Sequence, residues 1–265
     1  MKNKISIIGA GNIGLSIATG LVRSEKIKPQ DILLSRREVK HLDGHKKVGY
    51  QVTGSNSDAL SFSKTIIISV GPQQLEELAR EIKKKITDDH LIISVVSGVS
   101  IKKIRSLIGR GVKVVRAMPN TASSICESVT CIASDNESGI KDTELIFNAI
   151  GITLVVTEEK IAAATALGAC GIAFFLRAIR AASQGGIEIG FHSDEAFLIA
   201  AQTAKGASGL VIESSSHPES EIDNVTTPKG ATISGLNEME HQGFSSAMIK
   251  GITTSTDKIN KLLDS

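Results

Sequence analysis

The segment IIGAGNIG, Ile7 to Gly14, closes a run of β-branched residues and opens an apolar stretch with helical spacing. No other feature limits the fold as strongly. A strand turning tightly into a helix uses all three glycines: Gly9 permits the turn, Gly11 lets the backbone come close to a bound group, and Gly14 lets helix pack on strand. The helix start, at Asn12 and Ile13, then presents free N–H groups to an anion such as a pyrophosphate. Dinucleotide binding through Gly9, Gly11, Asn12, Ile13 and Gly14 is the expectation; glycines that only close a tight βα turn are the alternative.

The first half keeps the same alternation. Ile5–Ile8, Ile32–Leu34, Val48–Val52, Thr65–Val70, Leu91–Val96 and Val112–Arg116 read as strands, several of them continuous apolar runs of the kind a parallel sheet covered on both faces requires. Helical stretches at Asn12–Ser24, Pro72–Lys85 and Ser100–Ile108 lie between them. Val129–Ser134 and Ile152–Val156, flanking a helix around Glu137–Ile150, extend the sheet. After Thr157 the strands stop, and helical patterning continues with Ser193 as a helix cap and Ser214–Glu221, SSSHPESE, as a polar connection. The fold class is α/β: a doubly wound Rossmann sheet over 1–157, followed by an all-α domain over 158–265. A helix from about Lys160 to Ile189 is apolar round most of its circumference and must be buried all round. One chain has too few helices to cover it, so a second copy is expected over it, giving a homodimer.

Composition narrows the partners. A net charge of +2 and 3% aromatic residues leave neither a basic stripe nor stacking platforms, so no nucleic acid is expected. Cys126, Cys131 and Cys170 are odd in number and lack CxxC spacing, which fits reduced thiols in a cytoplasmic protein. MKNKISIIGAGN turns to glycines too early for a secretory signal. Ile161–Leu176, bracketed by Lys160 and Arg177, falls short of the about 20 apolar residues of a membrane span, so no membrane partner is expected. His41 and His45 are four apart but have no third ligand at suitable spacing, so no metal is expected. Lys83–Lys85 reads as a solvated helix end, and Cys126 and Cys170 as packed thiols.

The end of the second strand bears on the cofactor. An NAD site places an acidic residue there to accept from the ribose 2′-hydroxyl, whereas this chain has Ser35, Arg36 and Arg37. A hydroxyl and guanidinium groups suit a 2′-phosphate, which favours NADPH and leaves NADH open; of the two arginines, Arg37 is the one that otherwise reads as a solvated helix-start residue. Val70, Gly71 and Pro72 end a strand against the cofactor, with Asn56 and Ser69 toward its ribose and adenine. Met118, Pro119, Asn120 and Thr121 follow another strand, where Pro119 and Asn120 would wall the nicotinamide and Met118 and Pro119 the substrate; a plain turn is the alternative.

SVGPQQL (Ser69–Leu75), RAMPNTA (Arg116–Ala122), TALGACGIAF (Thr165–Phe174), DNVTTPKGATISGL (Asp223–Leu236) and HQGFSSAMIKGI (His241–Ile252) occur in an order that resembles the Δ1-pyrroline-5-carboxylate reductase family. The resemblance covers essentially the whole chain. It implies NAD(P)H-dependent reduction of a cyclic imine to L-proline, a C-terminal domain that dimerises by interlocking, rings of dimers in some members, and an active site between the two domains. It also implies that Thr232 Oγ faces the imine nitrogen and that Thr226 and Thr227 line the carboxylate site. The residues agree: Pro228 fixes a turn, and the amides of Gly230, Ala231 and Thr232 start a helix where a carboxylate can bind. The family pattern is departed from at Gly71, often lysine, at Ala169, Ile172 and Phe174, and at Lys229, where it has glycine. A β-hydroxyacid dehydrogenase and a non-catalytic NADPH-sensing module are the rival readings.

Overall fold

The computed structural model describes residues 4–109 and 111–263. The chain divides into two compact units, Met1–Cys170 with Ser255–Ser265, and Gly171–Thr254. The secretory-signal reading falls partly on residues 1–3, outside the described residues.

In the first unit the apolar runs become β1 (Ile5–Ile8), β2 (Ile32–Ser35), β3 (Gln51–Thr53), β4 (Thr65–Ile68), β5 (Leu91–Ser94), β6 (Lys113–Met118), β7 (Ser128–Ala133) and β8 (Gly151–Val155). They form one eight-stranded sheet in the order β3-β2-β1-β4-β5-β6-β7-β8. Neighbours run parallel except β6 and β7. Helices α1 (Asn12–Arg23), α2 (Asp43–Lys47), α3 (Asn56–Phe62), α4 (Leu75–Ile82), α5 (Ile101–Ile108) and α6 (Glu137–Phe147) cover it. Successive strand residues point to opposite faces. Ile7, Ile93 and Val115 therefore pack with Ile17, Leu21 and Phe147, while Ile8, Ile92 and Val114 pack with Leu78, Ile82 and Ile104.

Several boundaries differ from the sequence reading. The third strand starts at Gln51 rather than Val48, because Gly49 takes a φ of +103° that breaks the extended run. Pro72–Gln74 form a 3₁₀ turn before α4. The N-cap expected at Ser193 is His192, whose amide donates to Glu195 Oε2 at 3.0 Å. Part of the polar connection SSSHPESE is helical, since Pro218 starts α10 with His217 capping it.

Helix α7 (Ile161–Ala164), a π-helical stretch at Thr165–Cys170 and α8 (Gly171–Glu188) continue one another. The helical run Glu158–Glu188 has 31 residues and is long and apolar enough, by length and composition alone, to cross a membrane. The helix runs on past Arg177, as the patterning from about Lys160 to Ile189 indicated, so it is longer than the weakly polar run Ile161–Leu176 alone. Only 28% of its most apolar window is buried within the chain, and Phe175, Leu176 and Ile187 are exposed. Such a face is what a covering subunit would bury. The second unit continues with α9 (Ser193–Ser214), α10 (Pro218–Val225), α11 (Ala231–His241) and the first part of α12 (Phe244–Leu263).

Helix α1 lies so close to the turn Thr121–Ile125 that a Cβ on Gly20 would sit 1.9 Å from the Ser123 carbonyl oxygen. Gly20→Ala is therefore expected to lower stability by at least about 1–3 kcal/mol, read from denaturant midpoints. An unchanged midpoint would mean that the helix can back away from the turn.

Candidate active site

In an open α/β sheet the ligand crevice lies where strand order reverses, outside the carboxyl ends of the strands. Here that point is between β1 and β4. Gly9, after β1, has a φ of +95°, and a Cβ there would lie 2.7 Å from the Ser69 carbonyl carbon and 2.8 Å from Val70 Cγ1. A Cβ on Gly14 would meet Ser69 Oγ at 2.7 Å. Ser69 Oγ donates to the carbonyls of Gly9 and Ile8, at 2.9 and 3.2 Å, so this serine fastens the turn from below. Gly11 is different: its Cβ would meet nothing nearer than 4.0 Å. It begins α1 with no side-chain cap, leaving the first-turn amides of Asn12 and Ile13 open. The cradle fits a pyrophosphate, which would come down where the Gly11 side chain is missing.

At the end of β2 the structure separates the candidates. Arg36 is half-buried, and its Nη1 donates to the Ala10 carbonyl at 3.3 Å, so its guanidinium stands beside the glycine turn. Arg37 is exposed and paired with Glu77. Ser35 is fully buried, and its hydroxyl donates to Asn56 Oδ1 at 2.7 Å. That corrects its reading as a direct ligand: the serine holds Asn56, whose Nδ2 donates to Glu81 Oε2 at 2.6 Å. Beyond β4, the Gly71 amide donates to Gln74 Oε1 at 3.0 Å, and Pro72 starts the 3₁₀ turn.

After β6, Met118, Pro119 and Asn120 are all buried. Asn120 Nδ2 donates to the Gly168 carbonyl at 3.1 Å, and its Oδ1 accepts the Ala122 amide at 2.9 Å. Each end of its carboxamide thus makes a bond within the protein. Two residues before Met118, Arg116 is 1% exposed. Its Nη1 donates to Glu158 Oε1 at 3.3 Å, while Nε and Nη2 have no hydrogen-bond partner among the described residues. Burial holds this guanidinium below its ordinary pKa, partly offset by Glu158. Neither residue belongs to a site motif in the sequence, although a single arginine inside the apolar strand KVVRAM is a visible signal. Burial also raises the thiols of Cys131 and Cys170, as suits packed sulfhydryls; all three cysteines are free. His41 pairs with Glu38, and His45 packs edge-on to Tyr50.

In the second unit, TTPKGAT makes a turn into α11. The Gly230 amide donates to the Thr227 carbonyl at 2.9 Å, which corrects the expectation that it stays open to a ligand. Gly230 begins α11 without a side-chain cap, so the open amides are those of Ala231 and Thr232. Thr226 Oγ1 donates back to the Asp223 carbonyl at 3.2 Å, and Thr227 Oγ1 lies over Gly230. The Thr232 hydroxyl is exposed and has no hydrogen-bond partner among the described residues. Lys229, where the family pattern has glycine, takes a left-handed φ of +59°.

Residues 4–98 match the family model described as NADP oxidoreductase, coenzyme F420-dependent, which together with the glycine cradle makes the chain a Rossmann-type oxidoreductase. Residues 158–262 match the family model for pyrroline-5-carboxylate reductase dimerisation. Pyrroline-5-carboxylate reductase 2 of Dictyostelium discoideum is 47% identical, over 98% of this chain and 94% of that protein. Pyrroline-5-carboxylate reductase 1 of the same organism is 52% identical over 98% of this chain, which spans 50% of that protein's length. The solved pyrroline-5-carboxylate reductase of Coxiella burnetii superposes with a TM-score of 0.87 at 26% identity, covering 99% of each chain. The chain belongs to the pyrroline-5-carboxylate reductase family.

Gly11 has an extended φ of −95°, which alanine also adopts. Gly11→Ala is expected to leave stability within about 0.5 kcal/mol of the parent and to weaken nicotinamide-dinucleotide binding severely. Gly14→Ala should damage both, because its Cβ has no room. Equal affinity of Gly11→Ala and the parent in a fluorescence titration would remove the pyrophosphate from this turn.

Proposed function

We propose that this chain reduces 1-pyrroline-5-carboxylate to L-proline, the last step of proline biosynthesis, with NADPH preferred over NADH. It works as a cytoplasmic homodimer, which in this family can assemble further into a ring of dimers. The observation that carries the reading is a pair of bare helix starts, Gly11 and Gly230, in a chain of this family. One suits a pyrophosphate; the other suits a small carboxylate.

Bound at the glycine cradle, the reduced nicotinamide supplies the hydride. The chain's own residues do the rest. Gly9, Gly11 and Gly14 set the backbone so that Asn12 and Ile13 amides hold the pyrophosphate, and Arg36 carries the 2′-phosphate. Amides of Ala231 and Thr232 take the substrate carboxylate, with Thr226 and Thr227 shaping the turn beneath it. Met118 and Pro119, at the end of β6, form an apolar wall beside the nicotinamide. A cyclic imine is basic enough to arrive protonated, and its carbon accepts hydride without a strong acid beside it. The Thr232 hydroxyl accepts a hydrogen bond from the iminium N–H and keeps the ring oriented; orientation of this kind lowers barriers by up to about 7–11 kcal/mol in the best cases. The product nitrogen gains one hydrogen from the iminium proton already present, and the carbon gains the hydride.

The hydroxyacid dehydrogenase reading needs a lysine inside the long helix, where Glu158–Glu188 has only Lys160 at its start. A sensing module would bind NADPH without consuming it. The protein is expected to oxidise NADPH when given pyrroline-5-carboxylate; binding without turnover would favour the sensor. Thr232→Ala should lower kcat about 10–100-fold, the value of a hydrogen bond to a charged group, while NADPH affinity stays near the parent's. Arg36→Ala should weaken NADPH about 10–100-fold more than NADH, and equal losses would contradict the assignment of the 2′-phosphate.

A further inference from the structure

The backbone that leaves β6 is tied to the start of the long helix at two points. Glu158 Oε1 accepts from Arg116 Nη1 and, at 2.7 Å, from the Ile101 amide, so one carboxylate joins β6, α5 and the helix start. Further along, Asn120 Nδ2 reaches the carbonyl of Gly168 inside the π-helical stretch Thr165–Cys170. π turns are rare, and they persist where something outside the helix holds them. Gly168 lies against β7, where a Cβ would stand 3.4 Å from Val129 Cγ1.

Asn120 is 6% exposed, and its amide, its carbonyl and both ends of its carboxamide make hydrogen bonds. Its amide donates to Ser128 Oγ at 3.0 Å, its carbonyl accepts the Ser123 hydroxyl at 2.8 Å, and its carboxamide bonds Ala122 and Gly168. Every one of these partners is a backbone group or a serine hydroxyl, none of them ionisable. Of the two carboxamide bonds, the one from Nδ2 leaves its own turn. We propose that Asn120 is a positioning residue, whose carboxamide N–H pins the π turn Thr165–Cys170 to the turn after β6 and so holds the Met118–Pro119 wall in place. The proposal rests on the reductase reading for the effect on turnover, because that wall is there placed beside the nicotinamide, whose orientation it sets.

Two variants separate the bond from the fold. Asn120→Asp keeps an oxygen for the Ala122 amide but sets a carboxylate against the Gly168 carbonyl; on protonation the carboxyl regains a donor. Asn120→Ser keeps a helix-capping oxygen, cannot reach Gly168 and does not ionise in this range. At about pH 8 both are expected to lose about 10²-fold in kcat/KM for pyrroline-5-carboxylate, the cost of a misplaced wall, with NADPH affinity little changed. As pH falls to about 5, where a buried aspartate regains its proton, Asn120→Asp should recover at least about tenfold relative to the parent at the same pH, while Asn120→Ser stays low. Parent-like kcat/KM in both variants at about pH 8 would overturn the proposal, as would equal depression of both at every pH. Should Asn120→Asp fail to fold, parent-like turnover of Asn120→Ser would overturn it alone, and low turnover with intact NADPH binding would support it. Amide exchange at Gly168–Cys170 reads the pin without an assay: faster exchange at about pH 8 in the variants supports it, and unchanged exchange contradicts it. No turnover in the parent would instead sink the reductase reading, leaving exchange to decide on the pin.

Discussion

Backbone amides at the start of a helix have no partner inside the helix, and what the chain puts in front of them decides what that helix does. Ser55, Ser100, Asn136 and His217 turn their side chains onto the first-turn amides of α3, α5, α6 and α10. Helices α1 and α11 begin on glycine and keep theirs open. The rest of the first unit serves that opening: a parallel sheet sets α1 at the reversal of strand order, and the missing side chains of Gly9 and Gly14 let the turn sit on Ser69. In the proposed chemistry both anions, pyrophosphate and substrate carboxylate, are held by main chain. No strong acid or base is then needed where hydride is delivered.

Much of this could be read from the residues, because it depends on local rules. Glycine spacing at Gly9, Gly11 and Gly14 specified the turn, and continuous apolar runs specified a sheet covered on both faces. What the sequence hid depends on long-range partners. Ser35 and Asn120 sit where ligands of such folds bind, yet their polar atoms are taken by Asn56 and Gly168, far away along the chain. Nothing in the local sequence announces those partners. Gly230 is a similar case on a smaller scale: its open amide was lost to the Thr227 carbonyl by the turn that Pro228 and Lys229 make. The π stretch likewise follows no residue pattern; its Gly168 carbonyl accepts from Asn120 on the turn after β6.

The departures from the family pattern have physical explanations of unequal strength. Lys229 holds the turn in a left-handed conformation that glycine would take freely, at a cost of about 1–2 kcal/mol. A Cβ on Gly71 would come 2.7 Å from Gln73 Nε2, so the glutamine side chain fills the space that a larger residue would use. Ala169 lies in the π stretch. Nothing in the structure explains Ile172 or Phe174 in place of the family's residues.

The claim that main-chain amides hold the substrate by its carboxylate is tested most directly with a substrate that lacks it. Steady-state kcat/KM should be compared for pyrroline-5-carboxylate and for 1-pyrroline, the same ring without the carboxylate. Two charge-assisted hydrogen bonds at a helix start predict that 1-pyrroline is poorer by about 10²-fold or more. Equal efficiency for the two rings would contradict the account.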